Sequence, residues 1–497
     1  MKAVINKLNV AVTTQNKDEL AALARFVAYE LNHTDYSKRD PSGLPAIKNI
    51  YVVKDYATYR FIKPIYYMLK QYLLNRHRIV IEETEGSSFT PDMVKIKLNK
   101  GWKPRDYQMP IIEYILKERM YPACLGSIQT GKGKTALTLF SIVKLQQRAC
   151  IVLKADYIKQ WVNVILDMTD IKEDEIYIFR GQKSMLRFLN APKKERAQFK
   201  IFIMSVSTYN GYLKSYKLSP EIFEPHTPSK LFEQMDVGII VIDEIHQYNF
   251  TYFEMMSYSG VDRLLGLSGS FVTNDKFLRK IFVLEFPLDN IYDELEWDRY
   301  INYIIIQYQL ANTNGIRTSL RGSNTYSHIG YEQWLKSRPA IYKNYMDLIS
   351  GIVNDMYISR KRKSDKCLIF VASIDFANAL NDYLVDKYPD FLVGVFIEDD
   401  DLEKILTQDL TTSTPIKAGT AIDVPDLITV VNTVAIASPV ANIQIPGRLR
   451  KIEGFHTRYI QLTCMSIPKH RQYQALNDEL LDRKMLTTHR FLHRESI

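Results

Sequence analysis

Residues 127–135 combine two glycines with a lysine and a threonine at the spacing of a phosphate-binding loop. An apolar run leads into this segment and a helical pattern follows it, which is the strand, loop and helix context that such a loop requires. Gly131 and Gly133 would let the backbone turn its N–H groups inward at a helix N-terminus, where partial positive charge accumulates. We expect Lys134 to contact the β- and γ-phosphates of a nucleotide and the Thr135 hydroxyl to bind Mg²⁺.

Two carboxylates, Asp243 and Glu244, follow a second apolar run at residues 237–242. The β-branched residues of this run predict a strand buried on both faces of a parallel sheet, and ligands of such sheets bind at the carboxyl ends of the strands. There Asp243 could bind Mg²⁺ through water, and Glu244 could orient and deprotonate an attacking water.

Each of the two segments has an ordinary alternative when it is taken alone. The strict phosphate-loop pattern has a further glycine at the position of Ile128, so the loop could be a glycine-rich turn with a chance Lys-Thr pair. An isolated Asp-Glu pair at the end of a strand is usually solvated. The two segments together, at this spacing, predict a site that hydrolyses a nucleotide.

The composition is that of an ordinary globular protein with a polyanionic partner. The chain has 497 residues, enough for about three domains, and hydrophobic residues make up 46% of it. The net charge of +9 and the pI near 9.0 suit nucleic acid or another polyanion, without identifying it. Tyrosine is abundant and could stack on bases, although a single tyrosine is more often an amphipathic core residue.

The cysteines and the apolar segments argue against secretion and membrane insertion. Four scattered cysteines, three of them in apolar runs, predict buried thiols of a reducing compartment rather than disulfides or a zinc site: Cys124, Cys150, Cys367 and Cys464. The first residues lack the apolar core of a signal peptide, and no apolar run approaches the roughly 20 residues that span a bilayer. We therefore expect a cytoplasmic protein with no membrane partner.

The elements that precede the phosphate loop predict a small α/β domain followed by a helix. Strand and helix patterns alternate up to residue 99. The basic residues 76–78 and the basic loop 38–43 could contact phosphates, or they are simply solvated surface charge. The helix begins near Gln108, whose paired donor and acceptor could bind the edge of an adenine base.

These motifs resemble those of superfamily 2 helicases of the DExH type, and the resemblance extends from Arg105 to Arg450. The phosphate loop resembles the first motif of the family, and residues 243–246 match its second. The resemblance implies ATP as the nucleotide, bound by residues before and within the loop: Arg105, Tyr107, Gln108, Thr130, Gly131, Lys132, Gly133, Lys134 and Thr135. It also implies Mg²⁺, held by Thr135 and Asp243, with Lys134, Asp243 and Glu244 as catalytic residues.

Other segments resemble the family's nucleic-acid-binding elements. Residues 149–161 and 201–209 are similar to elements that contact the backbone of one strand, and residues 267–270 are similar to a motif that links hydrolysis to DNA. The strand contacts implied by the resemblance are made by Lys154, Gln160, Thr208 and Thr414.

The last third of the chain resembles the second motor domain of the family. Residues 411–414 and 419–425 are similar to its fifth motif, which implies that Asp423 contributes to nucleotide binding. Residues 444–451 are similar to its sixth motif, in which an arginine reaches the γ-phosphate. Arg448 and Arg450 are both candidates for this arginine, and Arg448 fits the spacing better.

The predicted fold is α/β, with two RecA-like parallel-sheet domains in tandem after a small N-terminal α/β domain. The predicted boundaries are an accessory domain at 1–99 that could bind DNA, a first RecA-like domain at 100–285, a connecting segment at 286–364 and a second RecA-like domain at 365–497. A strand within the connecting segment, at 303–308, is expected to belong to a hairpin or a surface connection.

The resulting functional hypothesis is an ATP-dependent DNA helicase or translocase that acts on branched or forked DNA, through hydrolysis in the cleft between the two motor domains. The chain looks most like phage UvsW-type branch-migrating helicases, which implies a role in recombination or repair and the host cytoplasm as its location. No obligate protein partner is inferred. The alternatives are an RNA helicase, a restriction-type motor on duplex DNA, and a remodeller with a degenerate ATPase site.

Overall fold

Parallel β-sheets form the centres of both units into which the computed structural model of this chain divides. The first unit comprises Met1–Ile128 and Lys132–Leu295, and the second comprises Gln129–Gly131 and Glu296–Ile497. The structure describes residues 1–39, 44–50, 52–55, 58–86, 90–129, 131–223, 226–269, 275–292, 298–316, 318–319, 325–398, 400–418, 424–452, 454–482 and 484–497.

A mixed sheet forms the N-terminal region of the first unit. Its elements, in chain order, are β1 (Lys2–Ile5), β2 (Asn9–Thr13), α1 (Lys17–Phe26), β3 (Asn32–Arg39), β4 (Pro45–Asn49), β5 (Val52–Asp55), β6 (Thr58–Ile62), α2 (Lys63–Tyr72) and β7 (Glu82–Glu85). The sheet has the order β5-β6-β2-β1-β7, and β3 pairs with β4 separately. Each helix continues into a π-helical turn, at Val27–Leu31 and Leu73–His77. The predicted small α/β region is thus confirmed.

A seven-stranded, wholly parallel sheet forms the rest of the first unit. Its elements are α3 (Met109–Leu116), β8 (Ala123–Ser127), α4 (Lys134–Leu145), β9 (Arg148–Leu153), α5 (Ile158–Met168), β10 (Ile176–Phe179), α6 (Gln182–Asn190), α7 (Lys193–Arg196), β11 (Ile201–Ser205), α8 (Val206–Leu218), α9 (Pro228–Met235), β12 (Val237–Asp243), α10 (Asn249–Tyr258), β13 (Arg263–Ser268), α11 (Lys276–Glu285) and β14 (Ile291–Tyr292). The order is β10-β11-β9-β12-β13-β8-β14. Every residue of β9 and β11 is buried, as their apolar runs predict for strands covered on both faces.

The N-terminal sheet packs against the first parallel sheet's helices and shares a hydrophobic core with them. Strands β2 and β6 contact α10. The buried Asn9 side chain donates to the carbonyl oxygens of Met256, at 3.2 Å, and Ser259, at 2.8 Å. The Arg60 guanidinium lies 5.7 Å from the ring centre of Tyr258. The N-terminal region is therefore an integral part of the first unit.

A second seven-stranded parallel sheet forms the centre of the second unit. Its elements are β15 (Ile301–Tyr308), α12 (His328–Lys336), α13 (Pro339–Met356), β16 (Lys366–Phe370), α14 (Ile374–Lys387), β17 (Val393–Phe396), α15 (Leu402–Thr407), β18 (Leu410–Ser413), α16 (Pro415–Ala418), β19 (Leu427–Asn432), α17 (Pro439–Gln444), β20 (Thr457–Cys464), α18 (Pro468–Leu481) and β21 (Thr487–Leu492). The order is β17-β18-β16-β19-β20-β15-β21.

Strand β15 differs from its expected place in a hairpin or surface connection. It pairs along its whole length with β20, from Ile301 opposite Thr457 to Tyr308 opposite Cys464. The physical reason is its composition, because β15 has six buried apolar residues, as expected of a strand inside a sheet covered on both faces.

The prediction of buried thiols has a structural counterpart. The four cysteines are free thiols and all are buried. Within the described residues, none of the helices combines the length and apolarity needed to cross a membrane.

Candidate nucleotide-binding site

The predicted phosphate loop lies between the end of β8 and the start of α4. Gly131 and Gly133 have φ angles of +88° and +78°, a backbone region that glycine adopts without strain. Helix α4 begins at Lys134, so its unpaired N–H groups face the loop. The residue that replaces a glycine of the strict pattern, Ile128, is fully buried, and its N–H donates to the Ser268 carbonyl at 3.0 Å. Thr130 lies outside the described residues.

The turn at Asp106–Gln108 holds the phosphate loop from the upstream side. The Tyr107 hydroxyl donates to the Lys132 carbonyl at 3.1 Å, and Gln108 Nε2 donates to the same oxygen at 3.3 Å. The Arg105 N–H donates to Gln108 Oε1 at 3.0 Å, so both ends of this buried amide have partners. These residues therefore position the loop, and their contacts with adenine stay a prediction.

The two carboxylates at the end of β12 lie beside the lysine of the loop. Lys134 Nζ is 2.5 Å from Glu244 Oε1, and both side chains are largely buried. Glu244 has a φ of +51°, a left-handed conformation that costs an L-residue roughly 1–2 kcal/mol. Such strain is characteristic of functional sites, where the surrounding structure enforces it. Burial raises the pKa of the neighbouring Asp243 carboxyl.

A histidine links this site to the adjacent strand β13. His246 Nδ1 lies 2.6 Å from Ser268 Oγ and 3.4 Å from Glu244 Oε2. Burial lowers the pKa of His246, which keeps the imidazole neutral near pH 7. His246 thus connects residues 243–246 with residues 267–269, and residues 270–274 lie outside the described part of the chain.

Trp161 belongs to the segment 149–161 that resembles a strand-contacting element, but its contact with Asp243 was not predicted from the sequence. Its indole Nε1 donates a hydrogen bond to Asp243 Oδ2 at 3.1 Å, and the side chain is 2% exposed. Nothing in the sequence signals this contact, because Asp243 lies 82 positions further along the chain.

The arrangement fits a magnesium nucleotide. Two glycines at the N-terminus of a 12-residue helix, followed by Lys134 and the half-buried Thr135, provide the donors and the charge that phosphates require. Thr135 and Asp243 would hold Mg²⁺, which neutralises charge on the phosphates when it is bound. Within the described residues there is no group of three or more His, Cys, Asp or Glu side chains able to hold a metal by themselves.

The nucleic-acid candidates of the first unit lie at the same edge of the sheet. Lys154 follows β9 and forms an ion pair with Asp156 at 2.9 Å, which raises the pKa of Lys154. Gln160 is exposed on α5. Thr208 follows β11, and its hydroxyl lies 2.9 Å from Ser205 Oγ within a small polar cluster. Since β9 and β11 are parallel neighbours, the three candidates share one edge with Asp243.

The remaining candidates belong to the second unit. Thr414 is 8% exposed, and its hydroxyl accepts from the Lys417 N–H at 3.4 Å at the start of α16. Arg448 is 5% exposed and ends the turn Pro446–Arg448. Arg450 donates to the Gly447 carbonyl at 2.6 Å. Asp423 lies outside the described residues, so its role stays a prediction, as do those of the two arginines.

Comparisons with known proteins connect this geometry to helicases. Residues 101–272 match the family described as the res subunit of type III restriction enzymes. The protein named DNA 3'-5' helicase XPB from Mycobacterium tuberculosis is 24% identical over 191 residues, which is 38% of this chain and 30% of the relative. The protein of the same name from Kineococcus radiotolerans is 25% identical over 204 residues, 40% of this chain and 32% of the relative. The chain thus spans about a third of the length of these curated relatives.

A solved structure supports the fold. Dbp5 from S. cerevisiae, bound to RNA and ADP BeF3, has a TM-score of 0.52 with this chain at 14% identity, and the match covers 79% of this chain and 91% of Dbp5. The predicted fold class, two RecA-like parallel-sheet domains in tandem, is confirmed. The chain is similar to superfamily 2 helicases in sequence and in fold.

Proposed function

We propose that this chain is an ATP-driven DNA helicase or translocase that acts on branched DNA. The observation that carries the proposal is the contact of Lys134 with Glu244, beside Asp243, behind a loop shaped by two glycines. A lysine, a general base and a metal ligand at the carboxyl edge of a parallel sheet are the components of nucleotide hydrolysis. The match of residues 101–272 to the res subunit family and the similarity of the chain to DNA helicases named XPB support ATP as the nucleotide.

Each side chain of the site has a proposed role. Lys134 binds the β- and γ-phosphates, and Thr135 and Asp243 hold Mg²⁺. Glu244 orients the attacking water and accepts its proton. We assign to Arg448 the contact with the γ-phosphate, because a guanidinium supplies fixed charge and several donors to phosphate oxygens.

DNA is the proposed nucleic acid. The curated relatives are named as DNA helicases, and the net charge of +9 suits a phosphate backbone. Lys154, Gln160, Thr208 and Thr414 are the proposed contacts with one strand, and phosphate contacts of this kind tolerate any sequence and weaken with salt. The exposed Arg76 and Arg78 of the N-terminal region are proposed to hold a duplex arm of a branch.

A second candidate is translocation along duplex DNA without strand separation. The match to the res subunit of type III restriction enzymes favours it. Displacement of a third strand from a triplex measures this movement directly, because it requires passage along the duplex but no unwinding.

The decisive experiment compares nucleic acids as activators and as substrates. ATP hydrolysis is measured without nucleic acid, with DNA and with RNA of matched sequence. Strand displacement is measured on forks, four-way junctions and simple tailed duplexes. We expect stimulation by DNA and a preference for forks and junctions over tailed duplexes. Stimulation by RNA alone would indicate an RNA helicase, and equal activity on all DNA substrates would exclude the specificity for branches.

A further inference from the structure

The buried face of α5 holds a hydrogen bond to the proposed magnesium ligand. Trp161 Nε1 lies 3.1 Å from Asp243 Oδ2, and the other carboxylate oxygen, Oδ1, accepts from the Glu244 N–H at 3.1 Å. The two donors approach different oxygens, so together they fix the rotation of the carboxylate plane. An indole N–H can only donate, which makes this contact specific for an acceptor.

The exposed surface of α5 and the segment just before it carry the proposed contacts with nucleic acid. Gln160 directly precedes Trp161 and is exposed, whereas Trp161 is 2% exposed. Lys154, directly after β9, lies six residues before Gln160, and its ammonium is 5.9 Å from the ring centre of Tyr157, just before α5. A displacement of this segment would therefore move Trp161 with it.

We propose that Trp161 is a positioning residue that couples nucleic-acid contact at Lys154 and Gln160 to the orientation of the magnesium-binding Asp243. The inference rests on the proposed function, because it requires both a nucleic-acid contact and a bound magnesium nucleotide. A strand held by Lys154 and Gln160 fixes α5, and the indole then holds Asp243 in the orientation that suits the metal. Without the strand, α5 and the carboxylate are less restrained.

A purely structural role makes a different prediction. Trp161 lies on the apolar face of α5 with Ile165 and Met168, both buried, and could simply fill the core. Trp161→Phe keeps a ring at this place but removes the N–H. A core residue would then lose only stability, whereas a positioning residue would change the concentration of Mg²⁺ that nucleotide binding requires.

The test measures binding of a fluorescent ADP analogue as Mg²⁺ is increased, with and without single-stranded DNA, together with the melting temperature. We expect Trp161→Phe to need about 10-fold more Mg²⁺, the lower end of what is lost with a residue that orients a metal ligand. We also expect DNA to lower the Mg²⁺ requirement of the wild type but not that of the variant. ATP hydrolysis with and without DNA is measured in parallel.

The matched control is Trp334→Phe in the second unit. Trp334 is also buried, and within the described residues its Nε1 has no hydrogen-bond partner. This control should leave the Mg²⁺ requirement and the effect of DNA unchanged. If Trp161→Phe unfolds, benzothienylalanine at position 161 replaces it, because this analogue keeps the bicyclic shape without the N–H.

The outcomes separate the two proposals. In the first outcome, the wild type binds nucleotide with Mg²⁺ and DNA lowers its Mg²⁺ requirement, and Trp161→Phe behaves in the same way. This outcome overturns the role of Trp161 alone. A wild-type protein without Mg²⁺-dependent nucleotide binding overturns the proposed function and the inference with it.

Discussion

Lys134 is the residue whose loss should separate hydrolysis from DNA binding. Its ammonium contacts Glu244 at 2.5 Å and follows the glycine loop, while the nucleic-acid candidates of the first unit lie on other loops of the same edge. We expect Lys134→Ala to lower ATP hydrolysis by at least about 100-fold, as the loss of one preorganised charge contact does. DNA binding, measured by fluorescence anisotropy, should stay close to that of the wild type. Near-normal turnover in this variant would contradict the assignment of the loop.

Glu244 should prove dispensable for binding but not for chemistry. In Glu244→Gln the side-chain shape remains and Asp243 and Thr135 can still hold the metal, so ATP and Mg²⁺ should bind. Hydrolysis should fall by about 10²–10⁴-fold, the usual loss for a positioned general base. Asp243→Asn is the contrasting variant, since it should weaken nucleotide binding itself. Equilibrium binding and single-turnover hydrolysis distinguish the two, and loss of nucleotide affinity in Glu244→Gln would make Glu244 a structural residue.

Residue types and spacing predicted the site to the extent that its residues are close in sequence. The Gly-Lys-Thr loop and the Asp-Glu pair have local signatures, and both lie where the pattern placed them. The contact of Trp161 with Asp243 has no such signature, because an apolar helical position does not reveal its partner in another element. The contact of Gln108 with Lys132 was missed for the same reason.

At the scale of elements, a buried glutamate of α12 holds the start of α14. Glu332 is 2% exposed and accepts from the Ala372 N–H at 2.6 Å, the Ser373 N–H at 2.8 Å and the Ser373 hydroxyl at 2.6 Å. These donors precede or begin the helix, whose N-terminus favours a negative charge. Burial nevertheless dominates and raises the pKa of Glu332 to about 7.

This pKa predicts that the second unit loses stability between about pH 4.5 and pH 7 as the pH rises. The folded state keeps a proton that the unfolded state releases, so the free energy of unfolding falls over this range by up to about 3 kcal/mol. In Glu332→Gln this contribution should disappear. Hydrogen exchange of α14 amides across this range, in both proteins, measures it, with Glu403→Gln on the exposed surface of α15 as the control. An unchanged slope in Glu332→Gln would assign the pH dependence to another group.

Strand types were easier to predict than strand partners. The apolar run of β15 indicated a strand, but its neighbours β20 and β21 come about 150 residues or more later in the chain. Periodicity reports which residues are buried and carries no information on what covers them. The sequence predicts a connecting segment for residues 301–308 because they are far along the chain from other strands. Their pairing with β20 and β21 shows that they belong to the second parallel sheet.

At the scale of the molecule, the N-terminal region cannot be treated as a removable module. It shares its core with the helices of the first parallel sheet, and Asn9 pairs with carbonyl oxygens at the end of α10. A chain that begins near Gly101 would expose the apolar face of α10 and leave those carbonyls without partners. Loss of fork preference in such a truncation would not distinguish a missing DNA contact from a destabilised motor, so surface substitutions are the better probe.

Arg76 and Arg78 are the described residues that best test whether this region holds a duplex arm. Both are exposed at the end of the π-helical turn after α2, away from the shared core. We expect Arg76→Ala with Arg78→Ala to reduce affinity for forks more than for linear duplexes. The slope of the logarithm of the fork-binding constant against the logarithm of the salt concentration should become shallower by about 0.9 for each phosphate that the protein no longer neutralises.

The control pair is Lys193→Ala with Lys194→Ala in α7. This helix precedes β11 at the amino ends of the strands, opposite the edge that carries Asp243. Equal discrimination of forks and an unchanged slope in the arginine variant would place the recognition of branches outside these two residues.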